Sequence, residues 1–283
     1  MNKLLQRLLT FFIGIPLIIF IVYIPNANHI VLNIIIVLVS IISSIESYNL
    51  MKFQNPVQPK FLVICLSSLI PISALICTLT GMDFMLTTFV FVISFMLLMT
   101  MEIFIPTSKD NEPYKDSNIK LANSLFVLFY GGFLLTFLSR MTIMENATEY
   151  IIVLLMMVFI CDSFAWLFGM CFGKNNRGLI KASPNKSIAG FFGGFLGSIL
   201  SGLLGKFLWP NIFHGNLIRM IILGVLIACA SILGDLAESV FKRSAKVKDS
   251  GKIIPGRGGI LDSIDSILMA TPVFYFYIIL IFE

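Results

Sequence analysis

The sequence predicts an all-α protein, a polytopic transmembrane helical bundle, and three observations lead there. Apolar residues make up 58% of the chain and charged residues only 12%, against roughly half and about a quarter in an average soluble domain. Apolar runs close to or above the roughly 17–20 residues that cross a bilayer recur from end to end. Lysine and arginine are also distributed very unevenly between alternate connectors, which is the asymmetry that sets membrane orientation.

About nine spans are expected. The first, Leu8 to Ile24, follows the basic segment Met1 to Arg7; no small-residue cleavage site follows near Pro25 to His29, so it is expected to be an uncleaved span. Ile30 to Ile45, Phe61 to Thr80, Phe84 to Ile105 and Leu121 to Leu138 come next. Tyr150 to Met170, Ile188 to Leu208, Leu217 to Leu233 and Ile264 to Phe282 complete the set. The spacers are short, and Pro106 to Lys120, with charges of both signs and turn formers, reads as a solvated connector. When connectors are assigned alternately to the two sides, Arg140, Lys206 and Arg219 fall on one side and every other lysine and arginine on the opposite side. The basic side faces the cytoplasm, which places the amino terminus inside and the carboxyl terminus outside, in a cell (inner or plasma) membrane. That surplus charge would meet anionic lipid headgroups or nucleotides.

Residues 1–149 contain five expected spans joined by plain loops, whereas in residues 150–283 carboxylates, lysines and glycines sit at span ends. The second stretch is therefore expected to be the catalytic region and the first an embedding set of helices. Cys65, Cys77, Cys161, Cys171 and Cys229 lie in or beside spans without paired spacing, which argues against a disulfide framework. The two histidines, His29 and His214, fall in outer connectors, so a nucleophile activated by histidine is excluded. Gly169 to Asn175 is one residue short of a phosphate-binding P-loop and has no Ser or Thr after Lys174. In the seventh span Gly190, Gly193, Gly194, Gly197, Gly202 and Gly205 recur on the spacing that lets membrane helices approach closely. Packing is the expected role of that stripe, with a phosphate cradle as the alternative.

Leu233 to Asp249 has the pattern of an amphipathic surface helix, with Asp235, Glu238, Lys242, Lys246 and Asp249 on one face and Leu236, Val240 and Val247 on another. Taken alone, it would be explained by Glu238–Lys242 pairing at a solvated surface. Ser250-Gly251 supplies a stop, and Ile253 to Ile260 forms a glycine-rich loop whose backbone N–H groups could approach an anion. Asp262 and Asp265 then open the last span, three residues apart. Carboxylates at a membrane boundary point to function; the plainer roles are an N-cap for Asp262 and a first-turn acid for Asp265. Hard oxygen ligands interleaved with lysine and arginine suit phosphoryl or nucleotidyl transfer, since carboxylates hold Mg²⁺ and cations neutralise phosphate oxygens. A cationic lipid patch would not need the aspartates, and a cation pathway would not need the lysines.

The run Ser239-Val-Phe-Lys242-Arg243, Lys248-Asp249-Ser-Gly251 and Ile254-Pro255-Gly-Arg257-Gly258-Gly259-Ile260-Leu-Asp262-Ser263-Ile264-Asp265 resembles the signature of the phosphatidate cytidylyltransferase family over 27 positions. Cys161-Asp162-Ser163, Phe172-Gly173-Lys174 and Ser183-Pro184-Asn185-Lys186-Ser187 resemble a second block of the same family, and Leu233-Gly234-Asp235 with Glu238-Ser239 also fits. The likeness runs from about Tyr150 to the end; the first half matches only as a string of spans. Arg257 stands where the family usually has His, and Ser263 where it usually has Arg.

The resemblance implies the reaction of CTP with phosphatidate to give CDP-diacylglycerol and pyrophosphate, by a homodimer among membrane lipids, with no nucleic acid partner. It implies a two-cation centre of Mg²⁺ and a second cation such as K⁺, held chiefly by Asp235 and Asp262. Glu238, Asp249 and Asp265 would be weaker or outer ligands. Lys242, Arg243, Lys248 and Arg257 would meet phosphates, Gly258 and Gly259 would let backbone approach, and Asp162, Lys174, Ser183, Lys186 and Ser239 would line the substrate's surroundings. Alternatives that stay open at this level are a CTP-dependent lipid or polyprenol kinase, an ion-coupled transporter, and a family member that has lost activity through the changes at Arg257 and Ser263.

Overall fold

The computed structural model describes residues 13–14, 16–53, 55–104 and 114–283. The described residues are largely helical; after a helical stretch at 16–22 come α1 (Asn26–Lys52), α2 (Lys60–Thr80), α3 (Met85–Phe104), α4 (Ser117–Val127), α5 (Thr136–Met141), α6 (Ala147–Phe172), α7 (Ile188–Leu208), α8 (Leu217–Ser244) and α9 (Leu261–Ile281). A wider turn at Leu128–Phe133 joins α4 to α5, so Ser117–Met141 acts as one span. Among the described residues eight helices are long and apolar enough to cross a membrane, and eight of the nine expected spans coincide with them. The remaining one, Leu8 to Ile24, lies partly outside the described residues, which include 13–14 and 16–24 of it and are helical over 16–22, and Lys3, Arg7 and Lys109 of the orientation argument lie outside them.

The chain divides into two compact units: Met1–Ile143 with Ser244–Ser263, and Met144–Arg243 with Ile264–Glu283. Compactness therefore cuts the chain differently from the functional boundary expected near residue 150, because the glycine-rich loop groups with the early spans.

In the first unit a polar seam runs between the helices. Gly131 and Gly132 sit where a Cβ would come within 2.6 Å of Ser44 and Ser67. That absence of side chain allows Ser40 Oγ to donate to the Gly131 carbonyl at 2.6 Å and the Ser44 and Ser67 hydroxyls to meet at 2.7 Å. Farther along, the Tyr48 hydroxyl donates to the Gln58 carbonyl, and Gln58 Nε2 donates to Glu102, which also accepts from Ser117 Oγ. Such pairing is required because an unsatisfied polar group in a low-dielectric interior costs several kcal/mol. At the start of α1, Ala27, Asn28 and His29 have left-handed backbone, and Asn33 Nδ2 donates to the carbonyls of Asn28 and His29.

In the second unit α6 and α7 lie against each other along the glycine stripe. A Cβ at Gly190 would stand 2.8 Å from the Ala165 carbonyl oxygen, one at Gly194 3.1 Å from Cys161 Sγ, and one at Gly197 2.8 Å from the Ile160 carbonyl oxygen. The stripe thus packs helix on helix. Ser187 precedes α7 with extended backbone and accepts from the Gly190 amide at 3.0 Å, capping the helix. α8 is longer than expected, since it continues the eighth span without a break and stops at Ser244.

The three cations on the sparsely charged side are committed to backbone carbonyls. Arg140 donates to the Phe84 carbonyl and lies 5.0 Å from the Phe137 ring centre. Lys206 donates to the carbonyls of Phe213 and Gly215, and Arg219 to that of Ile281 near the end of α9.

Gly197→Leu should overpack the α6–α7 contact and lower stability by about 1–3 kcal/mol or more. Thermal unfolding of the detergent-solubilised protein checks this, with Leu200→Val on the exposed side of α7 expected to leave the midpoint unchanged.

Candidate active site

In the second unit, α8 brings Asp235, Glu238, Ser239, Lys242 and Arg243 onto its last three turns, as their sequence spacing of three and four dictates. Glu238 is fully buried and forms an ion pair with Lys242. Asp235 is half-buried; one of its oxygens accepts from Lys186 Nζ at 2.5 Å and the other from Ser239 Oγ at 3.5 Å. Gly234 supplies the room beside them, for a Cβ there would strike the Asp265 carbonyl. Asp265, on α9, is 8% exposed, accepts from the Ser266 amide at 2.7 Å and stands in the combined field of Asp235, Glu238 and Asp162. Four carboxylates of one unit therefore share a neighbourhood in which Lys186 and Lys242 supply positive charge.

The second block begins on α6, which holds Cys161, Asp162 and Ser163, and continues along the connector 173–187. Gly173 is needed where it stands because a Cβ would meet the Gly169 carbonyl and Ser187. Ile188 N donates to Asn176 O, and Arg243 Nε donates to the Ala182 carbonyl at 3.3 Å, holding the connector to the end of α8. Lys174 is exposed and Ser183 half-buried on this connector, and Lys186 is the connector lysine that pairs with α8.

In the first unit, residues 245–260 form a loop that departs from the expected amphipathic helix. The helix stops at Ser244 and Lys246 has left-handed backbone, φ 53°. Lys246, Asp249 and Val247 are consequently in the loop, and the face shared with Asp235 ends at Lys242. Lys248, Asp249 and Arg257 are exposed. Ile254 and Gly258 close a tight hairpin through Ile254 N to Gly258 O at 2.7 Å and Gly258 N to Ile254 O at 3.0 Å, with positive φ at Gly256 and Gly258. Asp262 is in the first turn of α9, after Leu261, and is not the residue before the helix. Its Oδ2 accepts from the amides of Ser250 (2.8 Å) and Gly259 (2.7 Å) and from Ser250 Oγ (2.9 Å). The amides of Gly258 and Gly259 are thus engaged within the loop, and its exposed side-chain donors include Lys246, Lys248, Lys252 and Arg257.

Sequence reasoning missed Glu46. This α1 carboxylate is 4% exposed and accepts from Ser250 Oγ (2.9 Å), Ile260 N (3.2 Å) and Leu261 N (2.8 Å). The signal is present in the sequence, since a carboxylate at the end of an apolar run needs partners.

Among the described residues no three His, Cys, Asp or Glu side chains form a ready metal cage. Mg²⁺ does not require one: it keeps several waters and is bound through one or two carboxylates together with substrate phosphates. The crowded, hard-oxygen surroundings of Asp235 and Asp265 fit such an ion, because added positive charge relieves the mutual repulsion of buried carboxylates.

Residues 5–281 match the sequence model of the Cytidylyltransferase family. The chain is 36% identical over 165 residues to a phosphatidate cytidylyltransferase of Staphylococcus epidermidis, covering 58% of this chain and 60% of the relative. It is 33% identical over 190 residues to one of Synechocystis sp., covering 57% and 63%, and 43% identical over 124 residues to one of Haemophilus influenzae, covering 43% of each. The alignments thus span less than two thirds of these relatives' lengths. The family match, extending through nearly every helix described above, shows that the chain belongs to the cytidylyltransferase family.

Proposed function

We propose that the chain transfers the cytidylyl group of CTP to phosphatidate, forming CDP-diacylglycerol and pyrophosphate on the cytoplasmic side of a cell membrane. The observation that carries this reading is the group of four carboxylates, Asp162, Asp235, Glu238 and Asp265, with Lys186 and Lys242 already paired to two of them. The relatives' names and the family match support the choice of substrates.

An oxygen of the phosphatidate phosphate bonds to the α-phosphorus of CTP as the bond from that phosphorus to the oxygen bridging to the β-phosphate breaks. The attacking phosphate is already ionised, so no protein base has to remove a proton, and Arg257 in place of histidine takes nothing from the step. The difficulty is to bring two polyanions together and in line. As the family resemblance implies, Asp235 and Asp262 would be the chief holders of Mg²⁺ and of a second cation such as K⁺, with Glu238, Asp249 and Asp265 as weaker or outer oxygen donors. When bound, these ions neutralise phosphate oxygens and orient the transfer. Lys186 and Lys242 lie against carboxylates that cations would also occupy, so each is placed to turn to a phosphate as that charge is replaced. Arg243, Lys248 and Arg257 would meet the remaining phosphate charge, with Lys174, Ser183 and Ser239 around the nucleotide. The same reading includes a homodimer, which sizing in detergent would test.

Purified protein given phosphatidate, Mg²⁺ and cytidine-labelled CTP should place label in extractable lipid, and EDTA should abolish it. Asp235→Asn and Asp262→Asn should each lower turnover by ~10²-fold or more, the loss typical of a removed charge-stabilising group. Label from the γ-phosphate in lipid, or no label from either position, would overturn the proposal.

Removing Lys186 should act on CTP binding. Lys186→Ala should raise KM for CTP by about tenfold, the equivalent of one charge-assisted hydrogen bond, with Lys186→Arg retaining most of the affinity. Initial rates across a CTP series check this.

A further inference from the structure

We infer that Glu46 is a positioning residue for the transfer reaction: from α1 it fixes the conformation of the loop that carries Lys248, Asp249, Arg257 and Asp262. This rests on the function proposed above. Three observations converge on it. Glu46 is almost fully buried, yet both of its oxygens are used: Oε1 accepts from the Ile260 amide, and Oε2 accepts from the Leu261 amide and Ser250 Oγ. The loop makes room for it at two places, since a Cβ at Gly251 or at Gly259 would collide with the Glu46 carboxylate. Ser250 then ties Glu46 to Asp262, for its hydroxyl is 2.9 Å from an oxygen of each while its amide donates to Asp262.

The geometry requires a carboxylate specifically. Backbone N–H groups approach both oxygens, so either orientation of a glutamine would set its own NH₂ against a donor and leave a buried amide unsatisfied. The single Ser250 hydroxyl proton also has two acceptors. A cation held by Asp262 would lower that carboxylate's demand for the proton and leave it to Glu46, so the hold of α1 on the loop would tighten.

Glu46→Gln is the test, read in two ways on the full-length protein in detergent. Hydrogen exchange at the amides of Ser250, Ile260 and Leu261 should accelerate at least tenfold, while protection in α6 and α7 is retained. Turnover should fall by about 10²-fold, the cost of a misplacement near 1 Å, with KM for CTP raised and KM for phosphatidate unchanged. A lower active fraction alone would reduce the rate without moving KM for CTP. Should Glu46→Gln fail to accumulate, Ser250→Ala, which deletes the shared hydroxyl and keeps both carboxylates, should show the same exchange pattern and a loss of about tenfold. Unchanged exchange and unchanged KM for CTP in a folded variant would overturn the inference. A wild-type protein that makes no CDP-lipid would count against the proposed function, and the exchange result would still decide whether Glu46 holds the loop.

Discussion

A charge taken to the edge of a hydrocarbon layer has to be met by protein donors or by an opposite charge within hydrogen-bond reach, since water cannot be relied on to do it. Much of the polar architecture of this chain follows from that constraint. Glu238 is paired to Lys242 and Asp235 to Lys186 in the second unit. Glu46 and Asp262 are met by amides and a hydroxyl in the first. The constraint also explains why the carboxylates are paired by different means. Those of α8 have lysine side chains as partners, which can swing away without moving the backbone. Glu46 has backbone amides, which are fixed by the chain path and cannot be withdrawn without moving the loop.

Glycine serves two unlike purposes here. On α7 its missing side chain lets α6 approach until Gly190, Gly193 and Gly197 face backbone carbonyls of Ala165, Phe164 and Ile160. In the loop, Gly251 and Gly259 clear space for a carboxylate, whereas Gly256 and Gly258 supply positive φ for the hairpin. The two sets are alike in composition and distinct in physics, so counting glycines in a motif does not disclose which task they perform.

That difference bears on how much could be read from the sequence. The spans were legible because crossing a bilayer demands length and apolarity together, and both are local properties. The acids and bases of α8 were legible for a similar reason, as helical periodicity alone sets Asp235, Glu238 and Lys242 on one side. The same periodicity misled beyond Ser244: Lys246 and Asp249 continue the spacing, but the left-handed backbone at Lys246 ends the helix, and the pattern carries no information about that turn. The anion-binding role expected for the loop amides depended on their being unengaged, and only the folded chain shows that Glu46 and Asp262 take several of them. Glu46 itself was illegible as a partner of the loop because it is 204 residues from Ser250 in the chain. Its burial, by contrast, was open to inference.

The grouping of residues 244–263 with the early spans gives those spans more to do than embed the protein. A loop of this length, with exposed cations and four glycines, has many conformations available and a correspondingly large entropy to lose on ordering. If that cost fell on ligand binding, it would weaken affinity in the proposed transfer; met during folding, by contacts of α1 with Ser250, Ile260 and Leu261, it does not recur at binding. The first half of the chain thus contributes pre-organisation, and it does so through a buried acid whose acceptors point at backbone. Sequence changes elsewhere in α1 that keep the helix but rotate or shift Glu46 would forfeit that contribution even though every residue of the signature remained in place.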